Sequence, residues 1–438
     1  MKNNYWITDD ECLIFKPEFN EPLDNYYDVI NKYKKIIFSN YDEPLIAIET
    51  NNRWINKYDN NFIKSKFNQE IDLSNNINLT QLIFGYDFNQ EIDLSKNINL
   101  THLIFGYCFN QEIDLSNNIN LTHLTLGWNF NKEIDLSNNI NLTHLTFRNG
   151  FNQEIDLSNN INLKHLTFGW NFNKEIDLSN NINLKHLIFG YNFNQEIDLS
   201  KNINLEKLIF KKRYKQNINL SNNINLEYLD LGEKFNNEII ISNCIKLKKL
   251  IISNNYNYPI DLSNNINLEY LDLGEKFNYK INISNCIKLQ YLILSEAYNE
   301  EIDLSQNINL IYLYFGFGFD KNQIIPYSVK KVDIIENNNQ YLIDNLHNNI
   351  EELVLKYCPE LNLDNLPNSI KKLIIYNYES IILFNNSELN NLPNSIEYLE
   401  FNNFTLKIKK IPKNLKTIKF PKNYKYIEDF KDYEVIYF

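Results

Sequence analysis

The chain has 438 residues, of which 43% are hydrophobic and 22% charged, with a formal net charge of −12. These values indicate a folded protein, and the negative charge disfavours generic binding to nucleic acid or anionic membranes. Asparagine occurs 81 times and alanine twice, which argues against a mainly helical protein because asparagine prefers turns and caps. No GxGxxG or GxxxxGK[ST] motif occurs, which argues against a Rossmann or P-loop enzyme.

Residues 1–66 contain no apolar run of signal-peptide length, and no later run approaches the 18 apolar residues of a membrane span. The five cysteines form no Cys-x-x-Cys or zinc-finger spacing. We therefore expect an intracellular, cytoplasmic protein with reduced thiols and no membrane association. Residues 33–38 fit the repeat frame described next, so residues 1–66 are predicted to be an N-terminal cap with one degenerate coil.

A strict 21-residue period dominates residues 67–320, where we count twelve regular repeats. An aromatic residue recurs at every step from Phe67 to Phe319 without an insertion, and the columns that begin at Leu79 and Leu82 are leucine in all twelve copies. Such a period predicts a solenoid in which each unit stacks on the last. Twenty-one residues hold two short strands and two turns, so we expect a β-rich solenoid with short parallel strands and little helix.

Three columns of the repeat are predicted to be internal. The aromatic column from Phe67 forms a stacked core. The column from Asn76 is asparagine in ten copies and cysteine in two, which is typical of a buried donor to a loop carbonyl. Ser74 recurs as serine in every copy and is expected to satisfy backbone groups at the turn.

The phase of the repeat drifts after Phe319. Leu-Pro-x-Ser-Ile elements occupy residues 366–370 and 392–396, so residues 321–420 are predicted to be divergent LPxSI-type repeats. Residues 421–438 are aromatic and charged, as expected of a C-terminal cap, because terminal coils would otherwise expose the core.

These motifs carry a resemblance to known repeats. The Leu-x-x-Leu-x-Phe frame with an upstream Asn or Cys resembles the leucine-rich-repeat superfamily. Phe-Asn at residues 67–68, Leu-x-Phe-Gly at residues 82–85 and the Leu-Pro-x-Ser-Ile elements resemble, more specifically, the FNIP repeat family. The central units depart from that family, with Gln-Glu-Ile in place of Ile-Pro. The resemblance implies a leucine-rich-repeat-like stack of coils.

Some FNIP proteins also carry an F-box, and those proteins look like substrate adaptors. The resemblance therefore implies an alternative function, a substrate-recognition subunit of a ubiquitin ligase. No F-box is evident in residues 1–66, which lack a Leu-Pro start and a three-helix apolar pattern.

Residues between the inward leucines are expected to face outward, conventionally onto the concave surface. Five of the six histidines fall in one such column: His102, His123, His144, His165 and His186. Aromatic residues follow at the strand ends, interrupted by Asn149: Tyr86, Tyr107, Trp128, Trp170 and Tyr191. Flat amphipathic side chains are typical of protein interfaces, so both sets are candidate partner-binding residues.

Two alternatives remain open for the histidine column. The copies could share residues by duplication alone, without selection on each. Metal binding is the second alternative, and a linear row disfavours it because three or four convergent ligands are needed. Under every interpretation, adjacent imidazoles disfavour each other's protonation, and charging them near pH 5–6 is expected to weaken a neutral interface.

A second set of columns is acidic. Fourteen carboxylates recur every 21 residues, from Glu70 to Glu196 and from Asp72 to Asp198. Because directly opposed like charges destabilise a sheet, we expect a solvated face, with a basic partner or calcium as alternatives. Eight lysines from Lys407 to Lys425 form a basic segment that is expected to be a solvated terminal coil rather than a nucleic-acid or acidic-lipid site.

A catalytic function is disfavoured. The carboxylates repeat uniformly, whereas an active site needs one unlike set of residues in a pocket. Gly-x-Ser-x-Gly and His-Glu-x-x-His are absent. The sequence predicts a monomeric, non-enzymatic scaffold for protein–protein interaction, with no catalytic residue, cofactor or metal and with an unknown protein partner.

Overall fold

The computed structural model describes residues 4–43, 62–358, 360–376, 388–402 and 406–438. The chain divides into two compact units, Met1–Leu226 and Glu227–Phe438, which we call unit 1 and unit 2. Each is built from short strands stacked coil upon coil. Among the described residues the α-helices are α1, Tyr27–Ile30, and α2, Gln340–Asp344, so the expectation of little helix is confirmed.

Unit 1 contains ten described strands. They are β1 Tyr5–Ile7, β2 Cys12–Phe15, β3 Lys35–Phe38, β4 Gln81–Ile83, β5 His102–Ile104, β6 His123–Thr125, β7 His144–Thr146, β8 His165–Thr167, β9 His186–Ile188 and β10 Lys207–Ile209. β1 is antiparallel to β2, and every later pair is parallel and consecutive in the chain. From β4 onward the register is one full repeat of 21 residues, so Leu103 lies opposite Leu124.

Unit 2 contains thirteen described strands. They are β11 Tyr228–Asp230, β12 Lys249–Ile251, β13 Tyr270–Asp272, β14 Tyr291–Ile293, β15 Tyr312–Phe315, β16 Lys331–Ile335, β17 Glu352–Lys356, β18 Lys372–Tyr376, β19 Glu388–Leu389, β20 Tyr398–Phe401, β21 Lys407–Ile408, β22 Thr417–Phe420 and β23 Glu434–Tyr437. Parallel pairs run in chain order from β11 to β18 and on through β20, β22 and β23, while β19 pairs with β21. The division of the chain into caps and repeat classes stays a prediction.

The aromatic spine is confirmed as the core of the coils. Phe88, Phe109 and Phe130 are fully buried, and neighbouring rings stack with centroids 6.0–6.1 Å apart. Leu79 and Leu82, with their copies, are also buried in the core. Because equivalent residues of successive coils stack on one another, the buried apolar core runs along the whole of each unit.

The buried asparagine column is also confirmed. The Nδ2 of Asn97 donates to the carbonyls of Leu73 and Asn76 in the preceding coil, at 3.0 and 2.8 Å. Each later asparagine of the column repeats these two bonds. Where Cys286 replaces asparagine, its Sγ lies 3.6 and 3.9 Å from the equivalent carbonyls. The column therefore gives a second hydrogen bond to buried carbonyls that already accept a backbone N–H within their own turn, and so ties each coil to the one before it.

The expectation of two strands per coil is wrong. Residues 71–73 form no strand, because the coils are about 6 Å apart at the spine and a backbone ladder needs about 4.8 Å. Side chains bridge the wider gap. The Oδ1 of Asn68 accepts the backbone N–H of Asn89 at 2.8 Å, and the Nε2 of Gln90 donates to the carbonyl of Asn68 at 3.0 Å.

The turn after this segment is closed by aspartate. The Oδ1 of Asp114 accepts the backbone N–H of Ser116 at 2.8 Å, and its copies do the same. The carboxylate, rather than the serine alone, is therefore the group that satisfies the turn backbone. This hydrogen bonding holds the pKa of Asp114 below its ordinary value.

This turn predicts an acid-dependent loss of stability. Because the folded pKa of these aspartates lies below the unfolded value, their stabilisation is complete above about pH 4 and is lost as the pH falls further. Changing Asp114, Asp135 and Asp156 to asparagine is expected to keep the turn hydrogen bond. In a later coil an asparagine already makes it, since the Oδ1 of Asn219 accepts the backbone N–H of Ser221 at 3.0 Å. We expect unchanged stability at pH 7 and a shallower acid loss, measured by urea unfolding between pH 7 and pH 2.5. Identical acid profiles for wild type and variant would contradict this account.

Candidate functional site

The histidine column lies where the sequence predicts it, on the outward side of β5–β9. In each of these strands the first residue is histidine and is half-buried, while the leucine that follows is buried. The strand alternation therefore holds the imidazoles at the surface and the leucines in the core.

Neighbouring imidazoles are in contact. The ring centroids of His102, His123, His144 and His165 are 4.2–4.3 Å apart, with interplanar angles of 10–12°. His186 departs from this arrangement, since its ring is perpendicular to that of His165 at 4.3 Å. The structure thus brings the five predicted histidines together as one continuous row.

Threonine anchors the Nδ1 of the first three imidazoles. The Oγ1 of Thr101 lies 2.9 Å from the carbonyl oxygen of Thr80 and 2.9 Å from the Nδ1 of His102, and that carbonyl also accepts the backbone N–H groups of Thr101 and His102. Nδ1 is therefore paired through the threonine hydroxyl, and Nε2 is the ring nitrogen that this contact leaves open. Thr122 and Thr143 repeat the arrangement beneath His123 and His144.

The row is neutral over a wider pH range than the sequence predicted. Burial, followed by the charge of neighbouring imidazoles, lowers the pKa of His123 and His144 to about 4. Burial also lowers the pKa of His102, His165 and His186. The expectation that the centre of the row becomes charged near pH 5–6 is therefore wrong, because desolvation adds to mutual repulsion.

The aromatic row forms two stacks rather than one. Tyr86, Tyr107 and Trp128 stack at 4.6 and 5.3 Å, and Trp170 stacks on Tyr191 at 4.3 Å. Asn149 occupies the coil between the two stacks, and Trp170 is 48% exposed there. Lys64 and Lys212 lie over the outer rings, so each stack ends in a cation–π contact.

Within unit 1 the coils are closest together on this side. Spacing grows from 4.2–4.3 Å between stacked imidazoles to 5.5 Å between Phe84 and Phe105, and to 6.1 Å between the spine residues Phe88 and Phe109. The histidine and aromatic rows therefore lie on the side toward which the coils converge, where one flat partner can contact several coils together.

The acidic columns are solvated. Each carboxylate from Glu70 to Glu196 and from Asp72 to Asp198 belongs to an exposed residue, and the aspartates close turns as described above. No group of three or more metal-binding side chains occurs among the described residues. The basic segment is partly paired, with Lys409 on Glu388 at 2.5 Å and Lys419 on Glu400 at 3.0 Å.

Unit 2 carries a different polar surface, which the sequence did not reveal. Burial raises the pKa of Asp272 and of Asp333, and the Oη of Tyr312 donates to Asp333 at 2.8 Å. Lys249 lies 4.2 Å from the ring centroid of Tyr270. These contacts tie β12 to β13 and β15 to β16 through their side chains.

Two apolar features were also missed. One isoleucine in each coil, beginning at Ile77, is about half exposed. In unit 2 a cavity of about 1210 Å³ is lined by Ile308, Ile324 and Tyr327, which are largely exposed. Spacing alone could not distinguish these residues from buried ones, since the isoleucine column is as regular as the leucine columns.

Comparison with known proteins supports the fold. No family model and no curated protein matches the sequence. Among solved structures, a leucine-rich-repeat protein of Leptospira interrogans is similar with a TM-score of 0.54 and 17% identity, covering 78% of this chain and 97% of that one. The circular leucine-rich-repeat protein CroV588 matches with a TM-score of 0.49 and 25% identity, covering 95% and 80%.

No helix in the described part of the chain has the length and apolar character needed to cross a membrane. The coil geometry and the solved neighbour agree on the architecture, whereas the FNIP assignment stays a prediction. The chain has the fold of a leucine-rich-repeat solenoid.

Proposed function

We propose that the chain is a non-enzymatic repeat scaffold that binds a protein partner through the histidine and aromatic rows of unit 1. The observation that carries this proposal is the stacked row of neutral imidazoles beside two aromatic stacks on one face. Neutral, flat side chains are desolvated at lower cost than charged ones, and they are enriched at interaction hot spots. A leucine-rich-repeat fold is typical of such scaffolds.

The threonine contacts indicate what the partner must offer. His102, His123 and His144 keep Nδ1 on a threonine hydroxyl and leave Nε2 for the partner, so the partner's facing groups should be able to hydrogen-bond to a neutral imidazole nitrogen. The aromatic rings stack face to face, which leaves their edges and the uncovered faces beside Asn149 for contact. A polar surface that pairs with these ring nitrogens, with apolar groups opposite the aromatic stacks, would fit both rows.

The ligase alternative receives less support. It requires a module that binds the ligase's adaptor, and an F-box is helical. In residues 4–43 the described elements are three strands, one four-residue α-helix and a 3₁₀ turn. Recovery of the adaptor in the experiment below, and its loss on deleting residues 1–50, would favour the ligase function.

The test is a pull-down or proximity-labelling experiment in which His123, His144 and His165 are changed to serine. The matched control changes Asp114, Asp135 and Asp156 to asparagine, which alters neighbouring coils on a different side and keeps the turn bonds. We expect a partner that is lost with the histidine variant and kept with the control. Because the pKa of His123 and His144 is about 4, that partner should stay bound between pH 7.5 and 5.5. An identical set of partners for wild type and the histidine variant would refute this site.

A further inference from the structure

Unit 1 carries a continuous apolar stripe that the proposed function does not use. One isoleucine per coil, recurring every 21 residues from Ile77 to Ile224, is 49–56% exposed. We call these eight side chains the isoleucine stripe. Together they expose on the order of 600 Å², the upper end of what the largest apolar patch of a monomer reaches.

The polar groups around the stripe are ready for burial. The carbonyl of Ile77 accepts the Nδ2 of Asn99 at 3.0 Å, and the carbonyl of Ile98 accepts that of Asn120 at 2.9 Å, a pattern that continues along the stripe. Asparagine follows each isoleucine of the stripe. The residue two positions before each isoleucine is asparagine in six coils and lysine in two. When a partner covers the stripe, the carbonyls that accept these amide bonds stay paired. Few charged side chains flank the stripe, so few like charges are brought together.

The spacing of the stripe favours a second copy of this chain. The stripe lies in turns outside the paired strands, in coils that are 4.2–4.3 Å apart at the imidazoles and 6.1 Å apart at the spine. A second copy repeats its isoleucines at the same spacing, so two stripes stay in register along their whole length.

We propose that two copies of this chain associate through the isoleucine stripes of unit 1. The stripe and its asparagine flanks approach the roughly 800 Å² per partner of a stable interface. The same patch on both copies makes the contact isologous, so the assembly closes as a dimer. This proposal is independent of the proposed function, and it replaces the monomer expected from the sequence.

The test is sedimentation velocity of the full chain from about 1 to about 100 µM. We expect the wild type to dimerise, and the variant with Ile119, Ile140 and Ile161 changed to asparagine to dissociate at least about 100-fold more readily. The matched control changes the exposed isoleucines Ile240 and Ile324 of unit 2 to asparagine and should leave the dimer intact. A wild type that is monomeric throughout this range, or a triple variant that dimerises as tightly as wild type, would overturn the proposal.

Cross-linking separates dissociation from misfolding. With half-buried Cys108 changed to serine, Ile140→Cys should form a covalent dimer with a short bifunctional thiol reagent, whereas Ile240→Cys should not. The remaining native cysteines are buried. Equal cross-linking at both positions, or at neither, would count against the stripe as the interface.

Discussion

Changing Asn139 to aspartate is expected to destabilise unit 1 by about 5 kcal/mol. The Nδ2 of Asn139 donates to the carbonyls of Leu115 and Asn118, both at 3.0 Å, and the side chain is fully buried. Aspartate has the same shape and no donor when ionised, so it removes one of the two hydrogen bonds that each of these buried carbonyls accepts and places an uncompensated negative charge against them. Hydrogen exchange of peptides spanning residues 110–165 measures the effect, since coils contact chiefly their neighbours.

Asn139→Cys is the matched control for this change, because Cys244 and Cys286 occupy the same column. Asn139→Cys should lower the stability of unit 1 by about 1–2 kcal/mol, because a thiol is a weak hydrogen-bond donor. Burial raises the pKa of an introduced carboxyl, so the aspartate variant should recover part of its stability at mildly acidic pH, where the protonated group can donate. A loss for Asp no larger than for Cys would disprove the role assigned to the asparagine column.

Changing Phe130 to alanine is expected to lower the free energy of unfolding by about 3–5 kcal/mol, the second large effect. Phe130 is fully buried, and its ring stacks between those of Phe109 and Phe151 at 6.0 and 6.2 Å. Alanine opens a cavity between two rings held in place by their own coils, so neighbouring groups cannot close it. Urea unfolding followed by circular dichroism, together with exchange in the adjacent coils, measures the loss.

Phe130→Tyr is the control for the cavity. Tyrosine occupies this column naturally at Tyr214, Tyr256 and Tyr298, and the Oη of Tyr256 donates to the carbonyl of Pro259 at 3.3 Å. Because the ring is kept, we expect a cost below about 1 kcal/mol. If Phe130→Tyr lowered the stability as much as Phe130→Ala does, ring stacking would not be the interaction that stabilises the spine.

The repeat allowed much of the interior to be predicted from the sequence. A column with the same residue, or one of two residues, in every copy indicates that all copies share one environment. The burial of Leu79, Phe67 and Asn76 was predicted correctly for that reason. The second strand at residues 71–73 was wrong because alternation of Ile, Asp and Leu indicates which way side chains point. It does not indicate the distance between coils, and that distance decides whether a backbone ladder forms.

The surface was less accessible to sequence reasoning. The positions of the histidines followed from the strand alternation, but the contact of Nδ1 with a threonine hydroxyl depends on side-chain positions that the repeat does not give. Their pKa depends on burial, which repetition does not report. The isoleucine stripe escaped notice because an exposed column and a buried column are equally regular when all copies are alike.

The asparagine bridges between coils have a consequence for how such a chain can change in length. From Asn97 onward, the Nδ2 of each asparagine in the column donates to carbonyls 21 and 24 residues earlier, as Asn118 does to those of Asn97 and Leu94. Loss or gain of exactly one 21-residue unit presents each remaining amide with equivalent acceptors, whereas a change of 20 or 22 residues moves the amide at the junction away from both carbonyls. Unit 1 can therefore gain or lose whole coils, which extends or shortens the proposed binding face without a new fold.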